Sequence, residues 1–144
     1  MDALTNIATA QQAIKEAPTL VVKVGSALLV REDGSIRRDW MAALVDDIAD
    51  LVTAGQRVVL VSSGAIRVGL RLQGREPTNL GLDEKQAAAA LGQIRLADAY
   101  ADCFAERDLR VGQILVTQED TEDRRRYLNA RATLTRLLDW GTIP

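Results

Sequence analysis

The chain has 144 residues, of which 47% are hydrophobic and 26% charged, a composition typical of one globular domain. Its net charge of −2 and its 3% aromatic content exclude the basic and stacking surfaces that recruit nucleic acid, so we expect no nucleic-acid partner. The sequence has no histidine, which excludes, within this chain, nucleophilic mechanisms that depend on a histidine base.

The N-terminal 18 residues have no basic start and no long apolar run, so we predict neither a signal peptide nor a membrane partner. Their apolar residues recur at roughly helical spacing, at Ile7, Ala10, Ala13 and Ile14. This spacing predicts a short appended helix or a loose tail that ends at Pro18. The single cysteine, Cys103, suits a reducing compartment, so we expect a cytoplasmic protein in which Cys103 is a packing residue.

Short apolar runs and helical patterns alternate along the first half of the remaining chain. Residues 20–25 and 57–61 each predict a buried strand that ends in small residues. Between them lies a predicted helix, capped by Asp39 and stopped at Gly55. One face of this predicted helix carries Trp40, Leu44, Ile48 and Leu51, with Val45 and Val52 beside them. After the second strand, residues 65–72 predict a short helix that ends near Gly74.

The second half of the chain continues the alternation. After a loop at residues 75–81, a long helix is predicted at 84–107, with Asp83 as its cap and Gln86 completing a capping box. The small residues 87–90 allow this helix to pack closely on a neighbour, and Gly92 is a candidate bend. A third strand is predicted at 111–116, a fourth helix at 122–140 and the first step of another strand at 142–144. The predicted inner face of the fourth helix consists of Tyr127, Ala130, Leu134, Leu137 and Leu138.

This order of elements predicts an α/β fold with a mainly parallel sheet flanked by helices. Strand-like sequence begins again at the last residues, so we expect the sheet to be incomplete at the C-terminus. Trp40 and Trp140 are interpreted as core or interface residues. We see no internal repeat and no linker.

Small residues follow both of the first two strands, at Gly25-Ser26 and at Ser63-Gly64-Ala65. Ligands of parallel sheets bind beyond the carboxyl ends of the strands, and glycine turns bring backbone amides close to anions there. The sequence therefore predicts an anion site, with phosphate at one turn and a carboxylate or phosphate at the other. The alternatives are ordinary turn chemistry at the serines and glycines, and a Lys23 whose amine simply reaches solvent.

Lys23 lies within the first predicted strand, where a lysine is costly unless its charge has a partner. A bound phosphate would be such a partner. Neither of the common nucleotide fingerprints, GxxxxGK[ST] or GxGxxG, is present, so a nucleotide site here is of another kind.

A dense charged cluster precedes the fourth predicted helix, at Asp120, Glu122, Asp123, Arg124, Arg125 and Arg126. It is interpreted either as a solvated helix start or as a loop that shapes a polar substrate or effector pocket.

Five stretches together resemble one known family. Residues 21–26 (Val-Val-Lys-Val-Gly-Ser) and 61–66 (Val-Ser-Ser-Gly-Ala-Ile) resemble the opening strand and second glycine turn of the amino-acid kinase superfamily. Within it, residues 85–93 (Lys-Gln-Ala-Ala-Ala-Ala-Leu-Gly-Gln), 113–117 (Gln-Ile-Leu-Val-Thr) and 126–131 (Arg-Tyr-Leu-Asn-Ala-Arg) resemble the glutamate 5-kinases. The resemblance runs from about Thr19 to Pro144, so residues 1–18 are interpreted as an N-terminal extension and 19–144 as the N-terminal part of a kinase domain.

The resemblance implies transfer of the γ-phosphoryl group of ATP to the side-chain carboxylate of glutamate, with Mg²⁺, as the first step of proline synthesis. It implies that Lys23 contacts the transferring phosphate and that Gly25 and Ser26 form the phosphate-side turn. Ser63 would bind glutamate, with Gly64 and Ala65 lining that side. Asp120 matches a position near the glutamate pocket, where the family senses feedback by proline. No metal ligand is assigned within this chain.

The chain lacks an Asn-Glu-Asn-Asp run that binds glutamate in the family and lacks the adenine-binding half. We therefore expect the 144 residues alone to be inactive and the complete enzyme to be a homo-oligomer. Two alternatives stay open: another superfamily member acting on aspartate, acetylglutamate, carbamate or UMP, and a non-catalytic product of a truncated gene.

Overall fold

The computed structural model describes the backbone of residues 3–144 and the side chains of residues 9–144. The described elements follow in the order α1 (Ala3–Glu16), β1 (Thr19–Val24), α2 (Ser26–Leu29), α3 (Arg38–Thr53), β2 (Arg57–Ser62), α4 (Ala65–Leu72), α5 (Leu82–Ala105), β3 (Arg110–Val111), α6 (Glu119–Glu122), α7 (Arg124–Asp139) and β4 (Thr142–Ile143). Helix α1 agrees with the first of the two alternatives for the N-terminus, a helix rather than a loose tail, although the side chain of Ile7 lies outside the described residues.

The strands form two parallel pairs. Strand β1 pairs with β2, with Val24 opposite Ser62, and β3 pairs with β4, with Val111 opposite Ile143. The amide of Leu60 donates to the carbonyl of Pro144 at 2.9 Å, which links the two pairs. The predicted α/β class, with parallel strands flanked by helices, is therefore confirmed, as is the strand at the end of the sequence.

Helices α3 and α5 cover one face of the β1–β2 pair and form the core with it. Their inward residues recur every three or four positions, so each helix presents one apolar stripe to the sheet. The buried side chains include Met41, Val45 and Ile48 of α3, Leu96, Ala99, Cys103 and Phe104 of α5, and Val24 and Val58 of the strands. Burial of each large side chain contributes roughly 1.5–3 kcal/mol. Cys103 is a packing residue, as predicted.

The opposite face of β1 and β2 is exposed, which contradicts the prediction of fully buried strands. Val21 is 67% exposed and Val61 is 45% exposed, whereas Val24 and Val58 are buried. Continuous apolar runs are typical of strands covered on both sides. Within residues 3–144 the helices bury only one side of this pair, so alternate strand residues remain in solvent.

Both predicted helix caps are wrong, because each helix begins before the residue that was expected to cap it. Helix α3 begins at Arg38, so Asp39 lies inside its first turn, where its carboxylate pairs with Arg31 at 3.2 Å. Helix α5 begins at Leu82, and the carboxylate of Glu84 accepts a hydrogen bond from the amide of Gly81 at 3.0 Å. The reciprocal bond that defines a capping box therefore forms at Glu84 rather than at Gln86.

The region after α5 also differs from the prediction. The third strand covers only Arg110–Val111, because β4 pairs with those two residues and residues 113–116 have no strand partner among residues 3–144. The fourth predicted helix is two helices, since Asp123 is extended and its carboxylate accepts from the amide of Arg126 at 2.9 Å. Asp123 thus caps α7.

The two tryptophans have different environments. Trp40 packs against the edge of the core, in agreement with its interpretation, but Trp140 is 67% exposed. On α7, Ala130, Leu134, Leu137 and Leu138 are half-buried, while Tyr127 is 47% exposed.

Candidate functional site

The turns that follow β1 and β2 lie side by side at one edge of the sheet. Both the amide and the hydroxyl of Ser63 donate to the carbonyl oxygen of Val24, at 3.2 Å and 3.0 Å. Gly25 follows Val24 directly, so the Gly25-Ser26 turn is adjacent to the Ser63-Gly64 turn. The structure therefore brings the residues of the two predicted turns together.

Gly64 makes this contact between the turns possible. Its φ of +116° lies in the left-handed region that favours glycine, and a Cβ at this position would lie 2.8 Å from Cγ2 of Val30 and 3.6 Å from Cβ of Ser26. A Cβ on Gly25 would instead meet nothing within 4 Å. The second turn is thus packed against the first, whereas the space above Gly25 is open.

Helix α4 begins at Ala65, immediately after the second turn. The amides of Gly64, Ala65 and Ile66 have no hydrogen-bond acceptor among the described residues. Free amides and the positive end of the helix dipole favour a negatively charged group in front of them. The first turn of α4 can therefore hold a carboxylate or a phosphate.

Lys23 is exposed, which corrects the expectation that it lies inside a buried strand. It is opposite Val61 in the parallel register and shares the solvent-exposed face of the sheet with Val21. No described residue forms an ion pair or a side-chain hydrogen bond with it. Its ammonium group is therefore available to an anion near the end of β1.

Two glycines press α4 against α5. A Cβ on Gly92 would lie 1.8 Å from the carbonyl oxygen of Ala65, and a Cβ on Gly69 would lie 1.8 Å from that of Ala88. The predicted close packing at residues 87–90 is confirmed, and Gly92 serves that contact. Because Ala65 starts α4, the contact also holds the end of the second turn. The contact of Gly69 with α5 was not predicted from the sequence. The small residues that recur on both helices were the pattern that could have indicated it.

The phenol of Tyr100 reaches the end of β2. Its hydroxyl lies 3.0 Å from Oγ of Ser62, and burial raises the pKa of this hydroxyl above its ordinary value, so it is neutral at pH 7. The pair lies in the wall of a cavity of about 420 Å³ bounded by β2, α5 and residues 111–116. No pattern in the sequence pointed to this contact, because the two residues are distant along the chain.

Asp120 lies on α6 and makes its contacts locally. Its carboxylate accepts from the amide and the hydroxyl of Thr117, at 2.7 Å and 2.8 Å, and lies 3.8 Å from the guanidinium of Arg126. The hydrogen bonds from Thr117 and the nearby arginine hold the pKa of the Asp120 carboxyl below its usual value. Asp120 therefore fixes the turn before α6, and none of these contacts reaches the two glycine turns.

Within residues 3–144 no group of three or more histidine, cysteine, aspartate or glutamate side chains could hold a metal ion. Over the same residues, no helix combines the length and hydropathy needed to cross a bilayer.

The sequence profile of the amino acid kinase family matches residues 18–144. Curated glutamate 5-kinases are similar to the chain: one from Cereibacter sphaeroides is 54% identical over 131 residues, and one from Jannaschia sp. (strain CCS1) is 56% identical over 129 residues. These alignments cover 91% and 89% of the chain but 35% of each relative, so the chain spans about a third of the length of the relatives. The matched residues include β1, the two glycine turns and β4. The chain therefore belongs to the amino acid kinase family.

Proposed function

We propose that the complete protein that contains this chain is a glutamate 5-kinase, which phosphorylates the side-chain carboxylate of glutamate with ATP and so begins proline synthesis. The observation that carries the proposal is the pair of adjacent turns joined by Ser63 and Val24, in a chain similar to enzymes of that name. In this proposal residues 19–144 are the N-terminal part of the kinase domain, and residues 1–18 are an extension.

The first turn and Lys23 form the phosphate side. The space above Gly25 is open, so the polyphosphate can approach the backbone of Gly25 and Ser26. Lys23 is exposed near the end of β1 and is not neutralised by a described residue, so its charge can stabilise the transferring phosphoryl group. Stabilisation of developing charge is the main contribution that a protein makes to phosphoryl transfer.

The second turn forms the glutamate side. The amides of Gly64 and Ala65, at the start of α4, have no acceptor among the described residues and suit a carboxylate. The hydroxyl of Ser63 donates to Val24, so in this arrangement it has lone pairs free to accept a hydrogen bond from the ammonium group of an amino acid. Binding at both turns would place a carboxylate and a phosphoryl group next to each other.

The reaction in this proposal is a direct displacement. A carboxylate oxygen of glutamate attacks the γ-phosphorus, the bond between that phosphorus and the β–γ bridging oxygen breaks, and ADP leaves. The carboxylate is already ionised at neutral pH, so no general base is needed and the lack of histidine is no obstacle. Mg²⁺ belongs to the proposal as a companion of ATP, and residues 3–144 hold no cluster of ligand side chains for it.

Regulation and assembly are part of the same proposal. Asp120 and its bonds to Thr117 fix a turn that we place near the glutamate pocket, where proline would act as a feedback inhibitor. On this basis, Asp120→Ala should raise the proline concentration that gives half-inhibition, while Asp120→Asn, which keeps one acceptor oxygen, should have a smaller effect. We further propose that the complete protein is cytoplasmic, for which the buried free thiol of Cys103 is a supporting observation, and that it is a homo-oligomer.

The test is a substrate panel on the complete protein. With ATP and glutamate we expect ADP release and an acyl phosphate that hydroxylamine traps as a hydroxamate. Aspartate, acetylglutamate, carbamate and UMP should give no more than background; preference for any of them would assign another member of the superfamily. The purified 144-residue chain should form no hydroxamate, and product from it would contradict the expectation that this part is inactive alone.

A further inference from the structure

We propose that Tyr100 is a positioning residue for the glutamate-side turn, acting through the hydroxyl of Ser62. This inference rests on the proposed function, and it concerns a residue of the core that lies outside both turns. The observation that carries it is the 3.0 Å contact between the Tyr100 hydroxyl and Oγ of Ser62.

The Tyr100 side of this contact is rigid. Tyr100 is only 7% exposed, and its ring packs against that of Phe104 with centroids 6.4 Å apart. It lies in the 24-residue helix α5, which is pressed against α4 at Gly92. The phenol oxygen therefore has a defined place relative to the core, because its ring is buried and packs against Phe104.

The Ser62 side is the part that needs support. Ser62 is the last residue of β2, it is exposed, and it directly precedes Ser63. Apart from Tyr100, the described contact of its hydroxyl is a long one, 3.5 Å to the carbonyl of Ser63. The bond to Tyr100 is thus what fixes Oγ of Ser62 to the core at the point where the strand turns.

The position of the pair connects it with substrate binding. Val24 is opposite Ser62 in the register and accepts both bonds from Ser63, so the strand end and the turn form one hydrogen-bonded unit. If the strand end moves, the amides at Gly64 and Ala65 move with it. A looser turn must be ordered when glutamate binds, which weakens binding and leaves the chemical step largely unchanged.

Removal of the phenol oxygen should leave the fold intact. In Tyr100→Phe the ring still fills its place against Phe104, and the exposed hydroxyl of Ser62 can bond to water. Ser62→Ala is the less conservative change, because it leaves the buried Tyr100 hydroxyl without its described partner. Tyr100→Phe is therefore the informative variant, and thermal unfolding checks that its stability is unchanged.

The experiment measures steady-state kinetics of the complete protein with glutamate and ATP each varied, for Tyr100→Phe, Ser62→Ala and the double variant. We expect KM for glutamate to rise about 3- to 10-fold in each, as for loss of one hydrogen bond, with kcat and KM for ATP changed less than about twofold. The double variant should be no worse than the poorer single variant, since both remove the same bond. Tyr127→Phe removes the same atom from a half-exposed tyrosine on α7 and should match the wild type.

The outcomes separate this inference from the proposed function. A wild-type protein that does not phosphorylate glutamate overturns both. An active wild type with an unchanged glutamate KM in Tyr100→Phe overturns only the role of Tyr100. The role of Tyr100 is also overturned if kcat falls and both KM values rise together with a lowered unfolding temperature. It is overturned as well if the effects of the two single variants add in the double variant.

Discussion

The hydroxyl of Ser63 donates to the carbonyl oxygen of Val24 at 3.0 Å, and its amide donates to the same atom at 3.2 Å. A single backbone oxygen thus receives two bonds from the neighbouring turn, although the residues are 39 positions apart. Because one bond comes from the backbone and the other from the side chain, mutation can remove the second while the first remains.

Ser63→Ala should therefore impair glutamate use more than it impairs folding. The variant loses the hydroxyl at the glutamate-side turn but keeps the amide bond to Val24. Hydrogen bonds to charged groups are worth about 1.5–3 kcal/mol, so kcat/KM for glutamate should fall roughly 10- to 100-fold. Thr53→Ala is the control, since Thr53 also donates its hydroxyl to a backbone carbonyl, that of Ala49, at the far end of α3. Equal kinetics for the two variants would contradict the role of Ser63.

Lys23→Ala should lower kcat by about 10²–10³, the usual effect of removing one well-placed charge-stabilising donor. Its side chain is exposed and has no ion pair or hydrogen bond among the described residues, so the unfolding temperature should not change. Lys15→Ala on α1 removes an exposed lysine outside the residues that match the family, and it should keep full turnover. Near-normal turnover of Lys23→Ala would refute the assignment of Lys23 to the phosphate side.

Gly92→Ala should destabilise the protein, although glycine to alanine inside a helix normally stabilises it by about 1 kcal/mol. Here the new Cβ would lie 1.8 Å from the carbonyl oxygen of Ala65, so α4 and α5 must separate. Overpacking of this kind costs about 1–3 kcal/mol or more, which urea unfolding measures. Ala90→Ser adds an atom at an exposed position of the same helix and should be nearly neutral. An increase in stability for Gly92→Ala would show that the helices do not pack this closely.

The carboxylate of Asp33 should make a contribution to the free energy of unfolding that depends on pH. Hydrogen bonds from the hydroxyl and amide of Ser35, and then Arg71, lower the pKa of Asp33 from 3.8 to about 2. A group whose pKa is lowered by folding stabilises the folded state above its unfolded pKa and loses that effect as pH falls through its folded pKa. Wild type should therefore be more stable than Asp33→Asn by a constant margin well above pH 3.8, and the margin should shrink between pH 3.8 and 2. A margin that does not change with pH would contradict this.

Local patterns in the sequence were sufficient for most of the elements. Apolar runs predicted β1 and β2, and helical spacing predicted α3, α4 and α5, because each of these signals is carried by neighbours in the chain. The errors arose where the local signal did not decide the boundary of an element. Asp39 and Asp83 are good caps in isolation, but the first helical residues are Arg38 and Leu82. Strand 111–116 was predicted from its composition, yet a strand also needs a partner, and β4 pairs only with Arg110 and Val111.

The sequence alone established the alternation of the main strands and helices, though not the short helices α2 and α6, and the two turns of small residues that follow β1 and β2. Both signals are carried by short stretches of chain. The sequence also carried the likeness to amino acid kinases. Only the tertiary structure decided that Ser63 bonds to Val24, that Gly92 touches Ala65, that Tyr100 reaches Ser62 and that Lys23 faces solvent. The three contacts join residues 27, 38 and 39 positions apart, and the exposure of Lys23 depends on which face of the sheet is covered. Such relationships arise only when separate elements pack together.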